Sequence, residues 1–266
     1  MKINEAINIS KKVASKLKEL EGVKAVSIYG SIAKGIFDKY SDIDIMCFCE
    51  KIPNEGKRIE KVLELEGFVK RKKGWSMQDP FLYGGIHLTI EYENLKETKQ
   101  QLRSLQNTGK ILRCDDADKL RAHVINSKVL YDPKGEIRNI KDGLKPLIKK
   151  LPSSGKSYLK WIKYSSWKIE GERSPVRMAI KRKNLILANQ LIDKTIEGLI
   201  AVVYMLNGEY YYDPKWIKQD VGMFKKKPMN FVKKIEEIYS TSGSLAGVNK
   251  KIKLVTSLMD EIEVLK

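Results

Sequence analysis

With 266 residues, 42% hydrophobic and 32% charged, the chain is long enough for one large domain or two smaller ones with proper cores, and its composition is that of a soluble globular protein. No N-terminal stretch reads as a signal peptide, the longest apolar run (Leu199–Leu206) is too short to span a membrane, and the three cysteines make neither a disulfide framework nor a zinc pattern, so a reducing cytoplasm is expected. The net charge of +18 comes mostly from lysines spread along the whole chain, which favours anionic partners such as nucleotide phosphates without marking an RNA-binding face.

Ile3, Ile7, Val13, Leu17 and Leu20 fall at helical spacing, and Gly22 supplies a stop. The β-branched run Val23–Tyr29 predicts a strand, which Gly30 breaks, and Ser31–Phe37 can make a short helix with Ser31 near its start. Asp42–Cys49 is the next strand, 56–67 an amphipathic helix, 68–71 a short strand, and 84–92 a strongly alternating strand. A helix near 94–106 and a segment ending at 128–135 complete an alternating α/β half. The stretch 142–157, with Pro146, Pro152, two glycines and a serine cluster, reads as a boundary. Beyond it the periodicity is helical. One long helix runs from Ser174, a cap before Pro175, to about Asn207, and further helices fit 228–240 and 245–265. The expected fold class is α/β over residues 1–145, followed by an all-α helical bundle over 155–266.

Chemistry concentrates in Tyr29–Glu50, YGSIAKGIFDKYSDIDIMCFCE. Strand residues two apart share a face, about 6.5–7 Å from each other. Asp42 and Asp44 therefore project side by side, while Ile43 and Ile45 turn into a core. Carboxylates this close repel each other unless a cation bridges them. Mg²⁺ takes one or two carboxylates and completes its shell with water and phosphate oxygens. A pair of such ions about 3.5–4 Å apart clamps an in-line displacement at phosphorus. Gly30 lets the backbone turn and approach a phosphate with no Cβ in the way, and Ser31 adds a hydroxyl. The N–H groups of the following turn, helped by the helix dipole, face the same space, and Lys34 adds a positive charge. The spacing Gly30-x₄-Gly35 is not a P-loop, because Ile36 and Phe37 stand where that motif needs Lys and Ser or Thr.

The run GSIAKGIFDKYSDIDI resembles the GS-x-A-x-G…SD-x-D signature of the polymerase-β-like nucleotidyltransferase superfamily. In size and helical second half the chain is most similar to its kanamycin-type and archaeal minimal members. The likeness is tight over residues 30–45 and general elsewhere. It implies a mixed-sheet catalytic domain, a triphosphate held at Gly30 and Ser31 with Lys34 and Ser41 beside it, and two Mg²⁺ ions held by Asp42 and Asp44. A third acid on a later strand then completes metal binding or activates the acceptor hydroxyl. On Ile86–Tyr92, His87, Thr89 and Glu91 share a face, and Glu91 is the acid inside the strand. Glu93 is set off that face and ranked below it. Aligned on His87 instead, the strand lacks its third carboxylate.

The expected activity is an Mg²⁺-dependent transfer of a nucleoside monophosphate, AMP before others, from an NTP to an acceptor hydroxyl, with pyrophosphate leaving. Asp42, Asp44 and Glu91 are the expected catalytic and metal-binding residues. The acceptor stays open between a small hydroxylated molecule, a tRNA end and a protein side chain, and no membrane partner is expected. The alternative is a non-catalytic nucleotide- or RNA-binding module with a degenerate site. Cys47 and Cys49 are expected in the core, opposite the aspartates, and His87 and His123 in structural roles. Arg177, Lys181 and Asn184 are read as a solvated basic face of the long helix, and the aromatics of Glu209–Pro214 with Trp216 as bundle packing.

Overall fold

The computed structural model describes residues 3–71, 77–108, 116–164, 169, 171–211 and 214–265. They divide into two compact units, the first within 1–110 and 120–145, the second within 111–119 and 146–266.

The first unit runs α1 (Ile3–Leu17), β1 (Val23–Tyr29), α2 (Gly30–Lys34), β2 (Ile43–Cys49), α3 (Glu55–Leu63), β3 (Phe68–Lys70), β4 (Gln78–Tyr83), β5 (Ile86–Asn94), α4 (Leu95–Thr108), α5 (Asp116–Asn126) and β6 (Lys128–Tyr131), and ends in α6 (Glu136–Tyr164). Its six strands form one mixed sheet in the order β3-β4-β5-β2-β1-β6. β2 and β5 are parallel and every other pairing is antiparallel. Parallel neighbours need a crossover, which α3, β3 and β4 supply.

One sheet face carries the core. α1 sets Ala6, Ile9, Val13, Ala14 and Leu17 in a helical stripe, and these cluster with Val26, Ile28, Ile43, Ile45, Leu88 and Ile90. Cys47 and Cys49 are fully buried in the same cluster, on the face away from Asp44, as expected. Burial pushes the Cys47 thiol well up, so it stays protonated. Met46 and Phe48 are buried on the opposite face.

The strand β4 is not foreseen, because Asp79 and Pro80 argue against an internal strand. The structure answers both objections. Pro80 lies just past the last residue paired with β3, since Lys70 pairs with Phe81. Asp79, 1% exposed, is held by Arg58 of α3 through Nε–Oδ2 and Nη2–Oδ1 bonds of 2.9 and 3.3 Å. Arg58 also donates to the Pro53 carbonyl and lies 4.4 Å over the Tyr92 ring. A buried carboxylate is tolerated when a guanidinium meets it with both nitrogens.

The division between the units falls inside α6, and the stretch 142–157 is helical rather than a loop. Two internal prolines cost about 3 kcal/mol each in a helix. Yet Ile137, Ile140, Leu144, Leu151, Tyr158, Leu159 and Ile162 keep the helical period across both and are all buried. At about 1.5–3 kcal/mol per buried aliphatic side chain, the stripe outweighs the prolines.

The second unit is all helical, with α7 (Pro175–Lys181), α8 (Leu185–Leu206), a 3₁₀ turn at Pro214–Trp216, α9 (Ile217–Met223), α10 (Phe231–Ser240) and α11 (Leu245–Glu263). The expected α/β half followed by an all-helical half is what the structure shows. Ser174 caps α7 by accepting from the Arg177 N–H, with Pro175 in the first turn. The long helix expected from 174 to 207 is two helices. Lys183 adopts a left-handed φ of 57°, and Asn184 starts α8 by accepting from the Leu187 N–H. Asn caps compete with helix continuation at such a point. The run Leu199–Leu206 lies in α8 and is buried except at Ala201. Among the described residues no helix is long and apolar enough to cross a membrane. Tyr210, Tyr211 and Trp216 are buried, with Tyr211 5.1 Å from Tyr204, while Tyr212 and Asp213 lie outside the described residues.

Candidate active site

β1 ends at Tyr29, and Gly30 turns the chain with φ +69° into the single turn of α2. A Cβ at Gly30 would fall 2.6 Å from Asp44 Oδ2, so the glycine is the condition for Asp44 to stand where it does. Ser31 follows at 5% exposure, and Lys34 is the last residue of α2. With five residues, α2 has little macrodipole, so the backbone N–H groups of the turn, more than a dipole, are what it offers an anion. Lys128 of β6 reaches the same turn, its Nζ 3.4 Å from the Ile32 carbonyl.

Asp42 stands just before β2 and Asp44 is its second residue, both half-buried. Ahead of them a tight turn closes on itself. The Asp38 N–H donates to Ser41 Oγ at 3.0 Å, and Ser41 Oγ and the Tyr40 N–H both donate to Asp38 Oδ1 at 2.9 Å. Ser41, expected beside the nucleotide, thus spends its hydroxyl on shaping the loop that delivers Asp42.

The register fixes what lies around Asp44. Its pairing partners are Tyr29 on β1 and Thr89 on β5, and neighbours in register share a face. Glu91 pairs with Met46, one same-face step beyond Thr89. Its oxygens are both engaged, Oε2 accepting from the Tyr29 hydroxyl at 2.8 Å and Oε1 from Gln78 Nε2 at 3.2 Å. Burial pushes the Tyr29 phenol far up, and the charges of Asp44, Glu91 and Asp42 push it further, so all three carboxylates act on one point. Tyr29 is 7% exposed, with the His123 ring 4.6 Å away, which gives His123 the structural place expected of it.

Among the described residues no group of three or more His, Cys, Asp and Glu is arranged to hold one metal ion. The hard-oxygen donors that fit Mg²⁺ are Asp42 and Asp44, with Glu91 set one register step back. Glu93 proves to share the face of Glu91, because strand period two puts 87, 89, 91 and 93 together. Burial, then the charges of Glu91 and Glu97, raise its carboxyl to about 7.

His87 lies on the same face at the start of β5 and lines, with Asp42, a cleft of about 430 Å³ between the 37–42 loop and the Gly84–Gly85 turn. The Arg71 guanidinium meets His87 Nδ1 at 2.5 Å. Tyr29, Gln78, Lys128 and Arg71 are site residues that no sequence motif marks. Only Tyr29 has a signal available, as the residue directly before the Gly-Ser turn. Arg177, by contrast, donates to Asn249 of α11 at 2.6 Å; Arg177 and Lys181 lie four apart on α7, while Asn184 lies beyond it and caps α8, so the three do not share one helix face.

Residues 10–110 match the family model described as a nucleotidyltransferase domain. No curated protein matches the sequence. Among solved structures, a nucleotidyltransferase-like protein from Exiguobacterium sibiricum is similar at 8% identity and a TM-score of 0.44, with 95% of this chain and 74% of that one covered. The spectinomycin adenyltransferase from Enterococcus faecialis, solved with ATP and spectinomycin, is similar at 12% identity and 0.35, with 96% and 90% covered. A CCA-adding enzyme in complex with ATP is similar at 16% identity and 0.30, with 99% and 68% covered. Gly30-Ser31, set against Asp44, lies inside the matched segment, and residues 10–110 are assigned on that match to a nucleotidyltransferase domain.

Proposed function

We propose that the protein moves AMP from ATP to an acceptor hydroxyl, in an Mg²⁺-dependent reaction that releases pyrophosphate. The observation that carries this reading is the close packing of Gly30 on Asp44, which joins the Gly-Ser backbone turn to a half-buried carboxylate pair. Residues 1–145 are the proposed catalytic domain and 155–266 a helical bundle.

The residues present fit the metal, since Asp42 and Asp44 are hard oxygen donors on one sheet face. Bound there, Mg²⁺ would neutralise phosphate charge and polarise the phosphorus under attack. The remaining work falls to the chain. Gly30, Ser31 and the N–H groups of α2 seat the β and γ phosphates, with Lys34 and Lys128 adding positive charge at the same turn. Glu91 takes the acceptor proton, and Tyr29 and Gln78 fix its oxygens. Fixed positioning of this kind, more than covalent chemistry, lowers the barrier. The thiols of Cys47 and Cys49 are free, which supports a reducing compartment such as the cytoplasm.

Thermal unfolding with each of the four NTPs, with and without Mg²⁺, tests the reading in the wild type and in Asp42→Asn/Asp44→Asn. Ligand at 100 times its dissociation constant stabilises by about 2.7 kcal/mol. A shift with ATP and Mg²⁺ that vanishes in the variant is expected, and no shift with any nucleotide overturns it. The displacement of Glu91 from the register of Asp44 favours a second reading, a nucleotide-binding module without turnover. Pyrophosphate release with a mixture of hydroxyl acceptors separates the two.

A further inference from the structure

We propose that the cleft beside Asp42 is the acceptor's seat, and that it takes an acceptor carrying a phosphate next to a planar ring. This rests on the nucleotidyl-transfer reading and narrows its substrate class.

Several features of the cleft lead there. Its volume of about 430 Å³ suits a nucleotide-sized group rather than a folded partner. On its acidic side Asp38 Oδ1 is engaged in closing the loop turn. Its opposite wall is a donor. His87 lines the cleft, and Arg71 donates to its Nδ1, which makes Nδ1 the acceptor and leaves Nε2 as the donor nitrogen of the ring. An N–H donor backed by a guanidinium recognises a phosphate or another acceptor-only anion. Across the cleft, Tyr40 is 82% exposed, held out by the Asp38–Ser41 turn with Lys39 Nζ 4.8 Å from its ring centroid. An aromatic ring presented to solvent beside a cation is a stacking platform for a base. Phe37 and Ile86 give the cleft an apolar floor. Asp42 lines it too, so a hydroxyl on the seated group lies beside the proposed metal pair.

The donor NTP is the other possible source of such a ligand, and the test separates the two. The chain has two histidines, and His123 is buried at 8% exposure, so the imidazole NMR signals of His87 are assigned by their loss in His87→Asn. At fixed pH and without metal, AMP is expected to shift the His87 signals with half-saturation at least about tenfold below that of adenosine. Arg71→Ala and Tyr40→Ala should each raise the AMP half-saturation by about tenfold. With α,β-methylene-ATP and Mg²⁺ saturating, the AMP shift should persist. Equal response to adenosine and AMP, silence of His87, or abolition of the AMP shift by the ATP analogue overturns the proposal. Failure of the transfer reading shows differently, as loss of the Mg²⁺-dependent ATP stabilisation while the metal-free His87 response to AMP remains.

Discussion

Two glycines of the same loop separate backbone strain from the crowding of Asp44. Gly30 and Gly35 both sit in the left-handed region, with φ of +69° and +78°. Alanine there costs about 1–2 kcal/mol at either position. Nothing lies within 4 Å of a Cβ at Gly35, so Gly35→Ala should lose that amount and no more. At Gly30 the new methyl meets Asp44 Oδ2 at 2.6 Å, and the carboxylate must swing away. Displacing the end of a half-buried side chain costs less than overpacking a core, so the clash adds under about 1 kcal/mol and Gly30→Ala should lose about 1–3 kcal/mol in urea unfolding. It should also abolish Mg²⁺-dependent stabilisation by ATP, which Gly35→Ala should keep. In an Asp44→Ala background the clash partner is gone, and Gly30→Ala should cost only the backbone penalty. The coupling between the two positions is then under about 1 kcal/mol. Equal losses at Gly30 and Gly35, or additivity of Gly30→Ala with Asp44→Ala, would refute the reasoning.

Tyr29→Phe removes the hydroxyl that holds Glu91 at 2.8 Å while leaving the ring on His123. It should destabilise by about 1–2 kcal/mol yet leave the ATP–Mg²⁺ thermal shift unchanged, because Asp42 and Asp44 keep their places. Asp79→Asn breaks a pair whose members are 1% and 5% exposed and should cost about 3–5 kcal/mol in urea unfolding, and Arg58→Met/Asp79→Leu should also destabilise, because it leaves the Lys70 ammonium, 3.5 Å from Asp79 Oδ1, without its counter-ion. Glu93 has a folded-state pKa raised to about 7, by burial first and then by Glu91 and Glu97. Between its ordinary value and 7 the folded state holds a proton that the unfolded chain has released, so stability falls as pH rises through that window. With allowance for its partial exposure, Glu93→Gln should gain about 1–2 kcal/mol at pH 8 in metal-free buffer, and a pH profile identical to wild type would count against it.

The elements that read clearly from the chain are those whose pattern is local. β1 matches its expected bounds because Val23–Tyr29 is β-branched and ends on a glycine, and α1 because its apolar residues recur at 3.6. β4 was illegible because its acceptability depends on Arg58, which arrives from another helix. The helix through 142–157 was illegible because a long buried stripe overrides proline, a tertiary effect that punctuation signals cannot register. In the site, Gly30, Ser31, Asp42 and Asp44 announce themselves by spacing. Glu91 is legible as the acid inside its strand, but its distance from the aspartates follows from strand register, and register is set by pairing rather than by composition. Tyr29, Gln78, Arg71 and Lys128 come together only when the sheet forms.

The parallel pairing of β2 with β5 has a consequence for how the protein acquires its activity. Tyr29 reaches Asp44 through a short local connection, but Thr89 and Glu91 arrive only after the chain has travelled through α3, β3 and β4 and closed a long loop. Closures of that length are slow, and they come late relative to hairpins. A nascent or partly folded chain would therefore present the Gly-Ser turn and the aspartates before Glu91, the proposed general base, is in place. On the proposed reading, nucleotide capture then precedes catalytic competence on the folding path.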